Sequence, residues 1–170
     1  MPNILEMFDF ERDFLADVLR VLGERLSRLH SHVDWENSEE SYLFDPMEHI
    51  SGLGVVAAQR YLASTCKWFG VSRDDALRLG PQKKGVAVAA VVNAAANYWK
   101  HIEDGEGTIR ASTRMVLEQI GVTLESFYYV SNALYECGCP QFNGLLEHLV
   151  SWRDAVSDYA RTNQGEAANR

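Results

Sequence analysis

The chain has 170 residues, 46% of them hydrophobic, enough for one domain with a sizeable core and too few for two independent ones. A formal net charge of −8 argues against broad, non-specific nucleic-acid binding, which depends on neutralising phosphates with Lys and Arg; it suits docking onto a basic partner and leaves room for a small local basic site. Three cysteines (Cys66, Cys137, Cys139) are too few for a disulfide framework, and Cys137-Gly138-Cys139 lacks the second pair that a zinc site needs.

The opening segment, "MPNILEMFDFERDF", is acidic and amphipathic rather than basic then apolar, so no secretory leader is expected. The best uncharged apolar run, Val86 to Ala96, is too short to span a bilayer. The expectation is therefore a cytoplasmic protein with no membrane partner. Phe10, Phe14, Val18, Val21, Leu22, Leu26 and Leu29 recur every three or four positions, the spacing of one helical face. They predict a long amphipathic helix ending near His32, followed by an acidic loop, "DWENSEESYLFD", that packs by its rings.

Asp45 as N-cap and Pro46 in the first turn open a second long helix, which runs to Gly70. Gly52 and Gly54 inside it imply close packing on a neighbour, because each costs up to about 1 kcal/mol relative to Ala. "SRDDALRLG" reads as a short helix with Ser72 as cap and Gly80 as stop, and Gly80-Pro81 turns the chain. A central helix is predicted from Lys83 to about Asp104, apolar on every side in its first half and broken by Gly105 to Gly107. A short helix capped by Ser112 or Thr113 ends at Gly121; another runs from Thr123 to Gly138, where Gly138-Cys139-Pro140 makes a turn. The last helix places Leu145, Leu149, Trp152, Val156 and Tyr159 on one face. No strand pattern of useful length is present. The expected fold is all-α: one helical domain over 1–163, a mostly antiparallel bundle of four main helices plus short extra ones, then a disordered tail at 164–170.

The candidate site lies in the central helix. Asn93, Asn97 and His101 are spaced i, i+4, i+8, with Lys100 and Asp104 beside them, so they share one face. Burying such amides without partners costs about 1–3 kcal/mol each, and other helices, a subunit interface or a ligand could supply those partners. "NYWKH", Asn97 to His101, resembles the polar-residue-to-histidine part of the motif of HEPN-type helical bundles, a superfamily that includes many prokaryotic toxins and phage-defence ribonucleases. In that motif an arginine is followed, after four to six residues, by a histidine. The resemblance implies a homodimer and metal-independent RNA cleavage in a defence or toxin–antitoxin setting, with His101 as catalytic histidine and Asn97 as polar residue. The sequence departs from the motif where the arginine belongs: Ala94, Ala95 and Ala96 occupy those positions. Lys100 could supply charge, although adjacent residues on a helix diverge by about 100°.

Arg25 and His30 make a second match to the arginine–histidine spacing, with Leu26 where a polar residue belongs. A di-metal carboxylate site would need Glu-x-x-His, which is absent; Glu48-His49 and Glu147-His148 are adjacent pairs that read as surface. No phosphate-binding glycine loop or nucleophile elbow occurs, and no cofactor or metal is expected. Cys66 reads as a small buried hydrophobe, and Lys83, Lys84, Arg78 and Arg73 as a modest basic cluster. The missing arginine and acidic balance favour an alternative to the nuclease: a non-enzymatic partner protein of antitoxin or immunity type.

Overall fold

The computed structural model describes residues 9–32, 44–104, 109–123 and 128–168. These form an all-α fold: α1 (Phe10–His30), α2 (Phe44–Phe69), α3 (Arg73–Ala76), α4 (Val88–His101), α5 (Ala111–Gln119), α6 (Tyr129–Glu136) and α7 (Leu145–Ala168). A two-stranded hairpin, β1 (Gln82–Lys83) and β2 (Val86–Ala87), precedes α4. The long helices α1, α2, α4 and α7 are the four expected, and no helix among the described residues is long and apolar enough to cross a membrane. The acidic loop falls mostly in 33–43 and the Gly105–Gly107 break in 105–108, both outside the described residues.

Asp9 caps α1 by accepting from the Arg12 amide at 3.0 Å. The buried face of α1 differs from the expected one. Leu15, Leu19 and Leu26 are buried and Leu22 and Leu29 pack against the core, whereas Phe10, Phe14 and Val21 are exposed. Two apolar stripes overlap in this helix, and the leucine stripe wins because it faces α2. The two helices run antiparallel: the Tyr61 hydroxyl donates to Asp9 at 3.1 Å, and Leu26 shares a cavity with Met47 and Ser51.

Helix α2 starts at Phe44, two residues early, so Pro46 lies in its first turn as expected but Asp45 lies there too rather than capping it. Its glycines do mark close approaches: a Cβ on Gly52 would collide with the Trp99 indole of α4, and one on Gly54 with the Phe142 ring. Ser72 caps α3 as expected, accepting from the Asp75 amide at 3.1 Å. Helix α3 ends at Ala76, before Gly80, and is locked onto α7 where the buried Trp152 indole donates to the Ala76 carbonyl at 2.7 Å.

The central helix begins at Val88, not Lys83, because Lys84 (φ 49°) and Gly85 (φ 78°) form a two-residue hairpin turn of the kind that requires positive φ at both positions. Val88, Val91, Val92, Ala94, Ala95, Ala96 and Tyr98 are buried, so most of α4 sits in the core. Helix α5 carries Ser112 and Thr113 inside its first turn, with Arg110 at the cap position and no side-chain cap bond there. Helix α6 starts at Tyr129, later than expected, and its N-terminal amides are satisfied from α2. Glu48 accepts from the Val130 amide at 2.7 Å, the Ser131 amide at 3.0 Å and the Ser131 hydroxyl at 2.7 Å. Glu48 is thus a half-buried helix cap, not the surface residue that its pairing with His49 suggested. On α7, Leu145, Leu149, Trp152 and Val156 are buried and Tyr159 is half-buried. The expected tail, 164–170, begins inside this helix, which runs to Ala168.

Candidate functional site

Helices α2 and α4 pass antiparallel, Gly52 opposite Trp99 and Gln59 opposite Asn93 and Asn97. The centre of their seam is polar. Gln59, only 7% exposed, donates from Nε2 to Asn93 Oδ1 at 2.9 Å and to Asn97 Oδ1 at 2.8 Å, with a longer 3.3 Å contact to the Asn93 carbonyl. Its own Oε1 accepts from Lys100 Nζ at 2.7 Å. Arg73 reaches across from α3 and donates from Nη2 to Asn93 Oδ1. Five side chains from three helices therefore make one connected network: Arg73, Asn93, Gln59, Asn97 and Lys100. Burial, and then the nearby Arg73 charge, push the Lys100 ammonium pKa below its ordinary value.

Asn93, Asn97 and Lys100 of the sequence-predicted stripe are brought together in this way, and the two amides are half-buried rather than sealed in the core. His101 and Asp104 lie at the end of the same face and are exposed; His101 Nδ1 pairs with Asp104 Oδ2 at 3.1 Å. Trp99 is half-buried and meets the edge of His49 at 6.4 Å between ring centres, while Tyr98 is buried against Tyr129 at 4.1 Å. Arg25 and His30 are both exposed on α1. Five positions along a helix turn through roughly 140° beyond one full revolution, so this pair does not face a common point. His30 instead lines a cavity of about 370 Å³ with Met47, Tyr128 and Leu134.

Gln59 and Arg73 are the residues that sequence reasoning missed as members of this site. Gln59 is an uncharged residue in an apolar helix, and its one signal is being polar among Val55, Ala58 and Leu62 on a buried face. Arg73 was grouped with Lys83, Lys84 and Arg78, but that cluster divides: Lys84 pairs with Glu136 and donates to the Ile120 carbonyl at 2.9 Å, away from Arg73. Among the described residues, no group of three or more His, Cys, Asp or Glu side chains is placed to hold a metal ion. All three cysteines are free and buried.

The arrangement can do two things chemically. It ties α3 and α4 to α2 through satisfied amides, and it holds two cations on an otherwise neutral platform, Arg73 on Asn93 and Lys100 on Gln59. Comparison with protein-family models, with curated proteins and with solved structures finds no match to this chain.

Proposed function

We propose that the chain is a HEPN-like helical bundle that acts by binding a protein partner rather than by cutting RNA. The setting is the one that the resemblance implies, RNA-targeting defence or a toxin–antitoxin pair, with this chain as the antitoxin- or immunity-type member. One observation carries the reading: Asn97, the residue matched to the polar position of the motif, has its side-chain oxygen held at 2.8 Å by buried Gln59. An amide so engaged braces two helices, and drawing it toward a scissile phosphate would break a half-buried hydrogen bond. The acidic balance of −8 supports a basic partner surface.

A second reading, a metal-independent ribonuclease working as a homodimer, is favoured by Arg73. It brings a guanidinium to Asn93, in the neighbourhood where positions 94–96 supply only alanine. His101, next to Lys100, would then move the proton of a ribose hydroxyl. The two readings part in one experiment: RNA cleavage in EDTA by the wild-type protein and by His101→Ala, with the mass in solution recorded. Intact RNA after incubation with a folded wild-type protein is the expected result. Cleavage by the wild type that disappears in His101→Ala would overturn the partner-protein reading and establish the nuclease.

A further inference from the structure

We propose that Arg73 and Lys100 form a binding site for a phosphate-type oxyanion, mounted on the Gln59–Asn93–Asn97 platform. This goes beyond the partner-protein reading and does not rest on it.

The two cations come from different helices, and each is fixed by a neutral oxygen: Arg73 by Asn93 Oδ1, and Lys100 by Gln59 Oε1 at 2.7 Å. Because Gln59 Nε2 also holds Asn93 Oδ1 at 2.9 Å, one rigid element sets the position of both charges. Gln59 is 7% exposed, so the platform is organised before any ligand arrives, and the entropy of ordering it is not charged to binding.

Among the described residues neither Arg73 nor Lys100 makes an ion pair. Two acidic residues near them in sequence have partners of their own: Asp75 Oδ2 accepts from the Ser72 hydroxyl at 2.6 Å, and Asp104 pairs with His101 at 3.1 Å. A guanidinium has five N–H donors and an ammonium three, so a single bond to an amide oxygen leaves each with donors to spare. A tetrahedral oxyanion matches that donor set, because it can take the guanidinium fork on two oxygens and the ammonium on a third. It would also offset the Arg73 repulsion that, after burial, lowers the Lys100 pKa.

The test is calorimetric titration of the full chain with inorganic phosphate in chloride buffer, for the wild type, Arg73→Gln, Lys100→Gln and, as a charge control, Arg60→Gln. Arg60 is exposed on α2, and losing it changes the net charge by the same amount. Saturable binding by the wild type and by Arg60→Gln is expected, weakened about tenfold or more in each of the other two, the loss of one charge-assisted hydrogen bond. A thermal melt of each variant confirms that it is folded. Wild-type protein that does not bind phosphate, or Arg73→Gln and Lys100→Gln variants that bind as the wild type does, would overturn the site. A second readout is independent of those variants: the Lys100 pKa, followed by NMR, rises on saturation with phosphate, and a value that does not move counts against the proposal. Adenosine monophosphate titrated in parallel tells a site for free phosphate, with equal affinity, from one for a phosphate carried on a nucleoside, with tighter binding.

Discussion

Gln59 decides what the polar stripe is for. Its one carboxamide satisfies Asn93, Asn97 and Lys100 together. Gln59→Ala would leave a cavity, strand the Asn97 oxygen at a half-buried seam and take the acceptor from Lys100, while Asn93 keeps Arg73, at a cost of about 1–3 kcal/mol. Urea unfolding should show this as a lower midpoint with an unchanged slope. A midpoint equal to the wild type would mean that water replaces the glutamine, and the bracing role would fall. The stripe itself was legible, because i, i+4, i+8 spacing on a helix is a local property. Its partners were not, because Gln59 lies 34 residues before Asn93 and Arg73 lies 20 before it. No window of helical periodicity spans those separations. Glu48 escaped for the same reason, since nothing near it in sequence announces the amides of α6.

Among the elements, helix existence followed the sequence closely and helix edges did not. Helix existence is readable because apolar periodicity repeats within two turns, whereas the edges moved: Ser72 caps α3 as expected, but Asp45, Ser112 and Thr113 lie inside their helices. The hairpin before α4 was missed because two-residue strands carry no alternation to read, and Lys84-Gly85 is a turn signal only once positive φ at a lysine is entertained. The buried face of α1 was misread because two apolar stripes fit the same spacing, and only the position of α2 chooses between them. The α2–α4 contact has a sharper consequence. Gly52→Ala puts a methyl group where the Trp99 indole lies, so the ring must shift or the helices must part. Overpacking of this kind costs about 1–3 kcal/mol. The melting temperature should fall, and the fluorescence of the protein should report a more solvated tryptophan. Unaltered values for both would show that the seam is looser than the close approach implies.

At the level of the whole molecule, Asp9 ties three helices. It caps α1, accepts from Tyr61 of α2 at 3.1 Å and pairs with Arg153 of α7 at 3.1 Å. Burial and the Asp9 charge both raise the Tyr61 pKa. Burial likewise pushes the Cys137 thiol up to about 12 and the Cys139 thiol up to about 11. A folded-state pKa raised above the unfolded one gives a contribution that is complete below the unfolded value and lost as pH rises through the folded one. Stability is therefore expected to decline on the alkaline side, from the ordinary thiol range up to about 12. Urea midpoints across that range check the sign, and a Cys137→Ala/Cys139→Ala variant should flatten the decline. Iodoacetamide at neutral pH should label these thiols only after unfolding; rapid labelling of the folded protein would contradict their burial.

The cap that Glu48 places on α6 also orders events in time. The Val130 amide lies 82 residues after the carboxylate that receives it. A ribosome that has just added Glu48 must add all of those residues before the cap has anything to hold. Until then α2 carries an acceptor side chain for a helix that has not been synthesised. An eight-residue helix is too short to persist in water unaided. So α6 forms by docking, late, and the C-terminal third of the chain sets when the N-terminal half is finished.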